Sequence, residues 1–385
     1  MNKPIVSSTI CTTYDEDAVH AAVKQAIAKV LPGGLADLVK PGATVAIKVN
    51  MLMAKSPDKA VTTHPSVAKA VCNLVKECGA QALIIDSPGG PYTPILLRNA
   101  YEKCGFAKVA EETGAILNVD TSTIKVKRET RANLNGAEML RPAIEADVLI
   151  NLPKLKTHGL TTMTCGVKNL FGLVPGIQKF EYHMRSPELR DFCSMLVGIA
   201  ELAAPDLTIV DAIVGMEGEG PSSGTPYEVG AILASRDVHA VDLVAAAMLG
   251  LRPEQVPTIV VGQAVGLCPM SLSDVDMRGQ VGPQHRGATL PTASIQTHLL
   301  DQLMPRRWAD SFSRKLRPKP IFMRSTCSSC GVCVRSCPPQ AIELKRGELP
   351  KVALDKCIRC FCCQELCPQE AIEVSRSWLG RLLFR

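Results

Sequence analysis

The sequence predicts an α/β domain, a mostly parallel sheet with helices on both faces, followed by a small cysteine-rich α+β module. Three observations predict it. Between 44 and 250, short β-branched runs alternate with amphipathic runs of helical length, the pattern of parallel strands joined by crossover helices. That rhythm breaks over 266–325, where loop-like and Pro-containing sequence separates a second unit. Beyond the break, nine of the sixteen cysteines fall between Cys327 and Cys367. The first twenty residues carry no readable export signal, so this crowding points to metal binding in a reducing compartment and not to disulfides.

Taken in order, TVAIKVN (44–50) is the first strong strand. HPSVAKAVCNLVKECG (64–79) is a helix with Val67, Ala70, Val71, Leu74, Val75 and Cys78 on one face and Gly79 as its stop. QALIID (81–86) is a strand ending in the turn Ser87-Pro88-Gly89-Gly90; residues 95–112 are helical, and ILNVD (116–120) is a strand. ADVLINLP (146–153), DLTIVDAIV (206–214) and AILAS (231–235) are further strands. Helices span Leu189 to Ala203, closed by Pro205, and 238–250, closed by Gly250. The run GMEGEGPSSG (215–224) leads into a strand, so it is a sheet-edge loop or an anion-binding nest and not a nucleotide fingerprint. A short amphipathic helix is expected over 296–304 and a stiff extended linker at RPKP (317–320). The domains are therefore 1–300, a basic linker 301–325, the cysteine module 326–375 and a basic amphipathic tail 376–385.

The formal charge of +6 is unevenly placed, with +5 in 301–325 and +3 in the tail. This suits the docking of an acidic redox partner protein, or neutralisation of anionic groups in the module. Aromatic residues at 4% and the lack of a recognition motif argue against nucleic acid. No apolar stretch approaches the roughly 20 residues that span a bilayer, so a cytoplasmic protein is expected. The tail interleaves Arg with Trp378, Leu379, Leu382, Leu383 and Phe384. It is either an interfacial helix or a segment that packs on the large domain or a partner.

Within the module, CSSCGVCVRSCPPQAIEL (327–344) aligns with CIRCFCCQELCPQEAIEV (357–374), and both spell C-x2-C-x2-C-x3-C-P. Three closely spaced thiolates wrap one iron–sulfur cube and the fourth reaches across to the other. The expected ligands are Cys327, Cys330, Cys333 and Cys367 for one [4Fe–4S] cluster, and Cys357, Cys360, Cys363 and Cys337 for a second. Zinc is the weaker alternative, because zinc knuckles usually lie farther apart. Residues 326–375 closely resemble bacterial two-[4Fe–4S] ferredoxins, which implies pseudo-twofold symmetry and low-potential electron transfer. Two departures stand out. Phe361 replaces the small residue seen at Gly331, and Cys362 is a ninth thiol: a spectator, a substitute ligand or a modulator of potential.

In the large domain, polar residues collect where predicted strands end, the ligand side of a parallel sheet. They are Lys48 and Asn50, Asp86, then Lys154, Lys156 and His158, with Lys168, Asn169, Lys179 and His183 beyond, and Asp211. Thr62, Thr63 and His64 open a helix, as caps or as part of an anion site. Each alone has a bland reading. Together they predict a site for a small anionic substrate, bound by Lys48, Asn50, Lys154, Lys156, Lys168 and Asn169. His64 and His158 would handle protons, and Asp86 and Asp211 would orient them or bind a cation. The spacing of His64, His158 and His183 fits no standard metal pattern. Asp237 reads as a helix cap, whereas Asp242 is placed to point toward the site.

Seven segments, KVNM (48–51), TTHPSVAKAV (62–71), DSPGG (86–90), NLPKLKTHGL (151–160), GVKNLFGLVPG (166–176), IVDAIVGMEGEGP (209–221) and ASRDVHAVD (234–242), occur in order and resemble domain-of-unknown-function family 362. Members of that family are often fused to a C-terminal two-cluster ferredoxin. The resemblance implies this architecture and the same polar strand ends, without naming a substrate. The expectation is an iron–sulfur oxidoreductase that passes electrons between two [4Fe–4S] clusters and an anionic substrate. The alternative is a non-enzymatic electron-transfer or assembly protein whose α/β domain docks a partner.

Overall fold

The computed structural model describes residues 3–186, 188–279, 287–291 and 318–375. In chain order the large domain runs β1 (Ile5–Ile10), α1 (Glu16–Val30), β2 (Thr44–Val49), α2 (Pro65–Glu77), β3 (Gln81–Ile85), α3 (Pro94–Lys103), α4 (Phe106–Thr113), β4 (Ile116–Leu117), β5 (Thr123–Val126), β6 (Ala137–Leu140), α5 (Arg141–Ile144), β7 (Val148–Leu152), β8 (Lys154–His158), β9 (Thr162–Thr164), α6 (Gly166–Asn169), α7 (Gln178–Arg185), α8 (Leu189–Ala203), β10 (Leu207–Glu217), β11 (Thr225–Ser235), α9 (Val238–Met248), α10 (Pro257–Ala264) and β12 (Asp276–Gly279).

One mostly parallel sheet has the order β12-β1-β11-β10-β7-β2-β3-β4. Strands β10, β7, β2, β3 and β4 run parallel to their neighbours in that order. Strand β11 is antiparallel to both β1 and β10, because the short connection at 218–224 can only close a hairpin. The pleat sends Val45, Ile47 and Val49 into a core shared with α1 and α2, while Ala46 joins Leu149 in a core with α8. A third core packs α9 on Val210 and Leu233. Helices therefore cover both faces of the sheet, as expected.

Local chemistry adjusts several boundaries. The cap of α2 is His64 and neither threonine: its Nδ1 accepts from the Ser66 N–H at 3.2 Å, with Pro65 in the first helical position. Gly105, at φ +80°, divides the helix expected over 95–112 into α3 and α4. The segment KLKTH, which follows the strand expected over 146–153, is itself a strand, β8, paired with β10 and β9.

The small module comprises β13 (Lys319–Phe322), α11 (Val332–Arg335), β14 (Ile342–Glu343), β15 (Lys351–Val352), α12 (Cys362–Glu365) and β16 (Ile372–Ser375). Strand β13 pairs antiparallel with β16, so residues expected as extended linker belong to the module, which begins before 326. The expected helix at 296–304, most of the basic linker and the tail 376–385 lie outside the described residues. Among the described residues no helix is long and apolar enough to cross a membrane.

The module docks on the large domain. Leu366 lies against Gly89, where any Cβ would overlap its side chain. Lys55 Nζ pairs with Glu370 Oε1 at 2.6 Å, and His158 Nε2 lies 3.2 Å from Glu365 Oε1.

Candidate functional site

The ends of β2 and β3, with β8, β9, α6 and α7, wall a pocket of about 90 Å³ whose remaining side is α12 of the module. Its floor is a buried ion pair. Alternation along β2 puts Lys48 on the face opposite Ile47, where its Nζ is 2.9 Å from Asp86 Oδ1 and donates to the Val49 carbonyl at 2.7 Å. Asp86 also accepts from the Met51 N–H at 2.5 Å and the Ser87 N–H at 2.7 Å, so its carboxylate is saturated. Gly172 has no Cβ to collide with this pair.

Asn169 organises the floor. Its Nδ2 donates to the Lys48 carbonyl at 3.1 Å and to Asn151 Oδ1 at 2.8 Å, and its Oδ1 accepts from Asn50 Nδ2 at 3.0 Å. Asp242 does not line the pocket as expected. It accepts from the Gly166 and Val167 N–H groups at 2.6 and 3.1 Å, fixing the start of α6 and thereby Lys168 and Asn169.

Three further lysines enter the pocket without a carboxylate partner. Lys156 is fully buried and donates to Asn50 Oδ1 and the Val61 carbonyl, both at 2.8 Å. Burial, and then the charges of Lys168 and Lys154, push its ammonium well below the usual range. Lys168 has neither a hydrogen bond nor an ion pair among the described residues, and burial lowers its pKa. Lys179 donates to the Ser87 carbonyl, to Ser87 Oγ at 3.1 Å and to the Pro88 carbonyl at 3.4 Å; burial, partly opposed by Asp86, brings it to about 7. Thr164 Oγ1, buried in the same wall, has no hydrogen-bond partner among the described residues.

The expected site thus divides. Lys48, Asn50, Asp86, Lys156, Lys168 and Asn169 come together around the pocket. Lys154, Asp211 and His64 do not line it. They form a separate cluster with Tyr14: Lys154 Nζ lies 2.9 Å from Asp211 Oδ2 and donates to the Tyr14 hydroxyl at 2.6 Å. Asp211 Oδ2 accepts from the His64 N–H at 2.9 Å, and the His64 ring stacks on Tyr14 at 3.6 Å. This cluster ties β8 and β10 to the segments that open α1 and α2.

His158 sits at the domain junction. Its Nδ1 accepts from the Leu160 N–H at 3.0 Å, and its Nε2 faces Glu365 without the alignment of a hydrogen bond. Burial, then Lys168, lowers His158 to about 4. Burial alone would raise Glu365, but His158, Lys168 and His183 bring it down to about 2. At neutral pH an uncharged imidazole therefore faces an ionised carboxylate.

In the module, two cavities are each lined by four cysteines, Cys327, Cys330, Cys333 and Cys367 in one and Cys337, Cys357, Cys360 and Cys363 in the other. These crossed sets are the ones the spacing implies. Among the described residues no group of three His, Cys, Asp or Glu is placed to hold a single metal ion. Backbone N–H groups of Ala341 and Ala371 donate to Cys337 and Cys367 Sγ at 3.2 and 3.3 Å. Phe361 takes the left-handed conformation of Gly331, at φ +60° against +73°, a strain of about 1–2 kcal/mol for a residue with a Cβ.

Cys362 lines neither cluster cavity. It faces the large-domain pocket beside Glu365 and Leu366. Sequence reasoning did not assign Ser87, Phe171, Glu365 or Cys362 to the site, and it placed Lys179 among the strand-end polar residues without a binding role. A signal was present: the second half-repeat has Cys362, Glu365 and Leu366 where the first has Val332, Arg335 and Ser336.

Comparison with known proteins agrees with this architecture. A family described as Domain of unknown function (DUF362) matches residues 45–247, and one described as 4Fe-4S dicluster domain matches 319–368. The Thylakoid-associated protein sll1697 of Synechocystis sp. is 39% identical over 242 residues, 62% of this chain and 72% of that protein. Among solved structures, the lactate racemase apoprotein of Thermoanaerobacterium thermosaccharolyticum aligns with a TM-score of 0.40 at 16% identity, over 64% of this chain and 57% of that one. A Thermotoga maritima protein aligns with a TM-score of 0.37 at 12% identity, over 61% of this chain and 59% of that one.

Proposed function

This chain belongs to the DUF362 family and carries a 4Fe-4S dicluster domain behind the family domain, and on that premise we propose an iron–sulfur oxidoreductase whose electrons reach an anion held in the large-domain pocket. When bound, the clusters supply single electrons. One observation carries the reading: α12, which bears Cys363 and follows Cys360, also forms a wall of the lysine-lined pocket through Cys362, Glu365 and Leu366. In this reading Lys156, Lys168 and Lys179 hold the anion, while Lys48 and Asp86 fix the floor and Asn169 fixes Asn50. The other cysteine set includes the exposed Cys330, which suits electron entry from a redox partner protein at the far side.

The test is anaerobic reduction of the holoprotein followed by mixing with small organic and inorganic anions, with cluster reoxidation read by visible absorbance. The expected result is reoxidation accelerated by particular anions and slowed at least tenfold in Lys168→Gln. Rates indifferent to every anion would refute it. Exposed apolar side chains Ile95, Leu96, Ile177 and Met184 favour the second reading, an electron-transfer protein whose large domain docks a partner. A stoichiometric partner that co-purifies, with no anion response, would support it instead.

A further inference from the structure

The pocket's charges do not balance. Among the described residues four lysines, Lys48, Lys156, Lys168 and Lys179, line it against two carboxylates, Asp86 and Glu365. Asp86 is engaged with Lys48 and two backbone N–H groups, while Glu365 faces the uncharged His158 imidazole and is the nearest negative charge acting on Lys168. With every lysine protonated the excess is two positive charges, on side chains whose nearest acceptors are carbonyls, an amide and a hydroxyl. A buried ammonium with no counter-charge, as at Lys156, carries a desolvation cost of several kcal/mol, and the half-buried Lys168 and Lys179 beside it add repulsion.

Resting on the reading above, we propose that the ligand of this pocket is a small dianion, a doubly charged oxyanion or short dicarboxylate, held by Lys156, Lys168 and Lys179. Its two charges equal the excess. The cavity of about 90 Å³ has room for such an ion. Phe171, Phe180 and Leu366 offer apolar wall to a short carbon skeleton, and the unpartnered Thr164 Oγ1 offers one directional hydrogen bond. Among the described residues the pocket is lined by lysines and no arginine, which suits recognition by point charge more than by a bidentate fork. Because burial depresses these ammonium groups in the free protein, a bound dianion also draws protons onto them.

The test is isothermal titration of the anaerobically purified, cluster-loaded full chain with sulfate, malonate and acetate, in two buffers of different ionisation heat. At least one dianion is expected to bind tenfold or more tighter than acetate, with buffer-dependent heat that reports proton uptake. Lys168→Gln is expected to remove that preference and Lys168→Arg to keep part of it, while the surface variant Lys24→Gln leaves it unchanged. Acetate binding as tightly as both dianions would overturn the dianion assignment and leave the anion reading standing. Binding of no anion would overturn both. If Lys168→Gln then shifted the cluster midpoint potentials, the lysines would be counter-charges to the clusters. The comparison among ligands needs only the unmodified chain, so a variant that fails to fold leaves the test intact.

Discussion

Replacing Asp86 by asparagine removes one charge from the pocket floor and almost no volume. Lys48 Nζ, whose side chain is 1% exposed, would keep the Val49 carbonyl at 2.7 Å and Asn169 Oδ1 at 3.4 Å but lose its only anion, at 2.9 Å. Breaking a buried ion pair from one side costs about 3–5 kcal/mol. Asparagine keeps one oxygen that can still accept from the Met51 or Ser87 N–H, and Lys48 can shed its proton. Both push the expected loss to the low end, about 3 kcal/mol. The assay is urea unfolding of the cluster-loaded protein under anaerobic conditions, followed by circular dichroism. The double variant Lys48→Met with Asp86→Asn, which leaves no orphaned charge, should recover most of the loss. A single variant costing under about 1 kcal/mol, or a double variant no better than the single, would refute the claim that Asp86 neutralises Lys48.

Iron and sulfide analysis should show that Cys337→Ala and Cys367→Ala each lose about four irons, while Cys362→Ser keeps about eight. Electron paramagnetic resonance would assign each loss to the half-repeat opposite the substitution. Gly89→Val should force Leu366 away and weaken docking by about 1–3 kcal/mol, with partial rescue by Leu366→Ala, read from interdomain protease sensitivity. Sulfate affinity should fall as pH rises through about 7, because Lys179, facing Asp86, Lys48 and Lys168, is charged below that value and neutral above it. Titrations near pH 6 and pH 8 check this, and the step should be absent in Lys179→Met.

The parallel sheet was readable because β-branched runs and helix stops such as Gly79 act locally. The crossed cysteine sets were readable because spacing alone limits which thiolates reach one cube. The site was half legible. Lys48, Asn50 and Asp86 follow strand ends, a rule of topology. Whether a residue there enters the pocket depends on the pleat and on which neighbour claims its charge. Lys154 and Asp211 lie on paired strands and neutralise each other, so of the expected anion-binding lysines Lys154 leaves the pocket and Lys179, in a later, less regular segment, joins Lys156 and Lys168. His64 was taken up by capping α2 and stacking on Tyr14, and Cys362 and Glu365 depended on a docking geometry that no single motif encodes.

The repeat inside the module has a consequence for how such proteins diversify. A body with near-twofold symmetry can be seated in either of two orientations, and only side chains that break the symmetry choose between them. Here a handful do so: Cys362, Glu365, Leu366 and Glu370 against Val332, Arg335, Ser336 and Gln340. Exchanging those four pairs would ask the module to turn end over end, so that the other cube faces the large domain while every ligand stays in place. On the proposed electron path, a few substitutions would then reverse its direction.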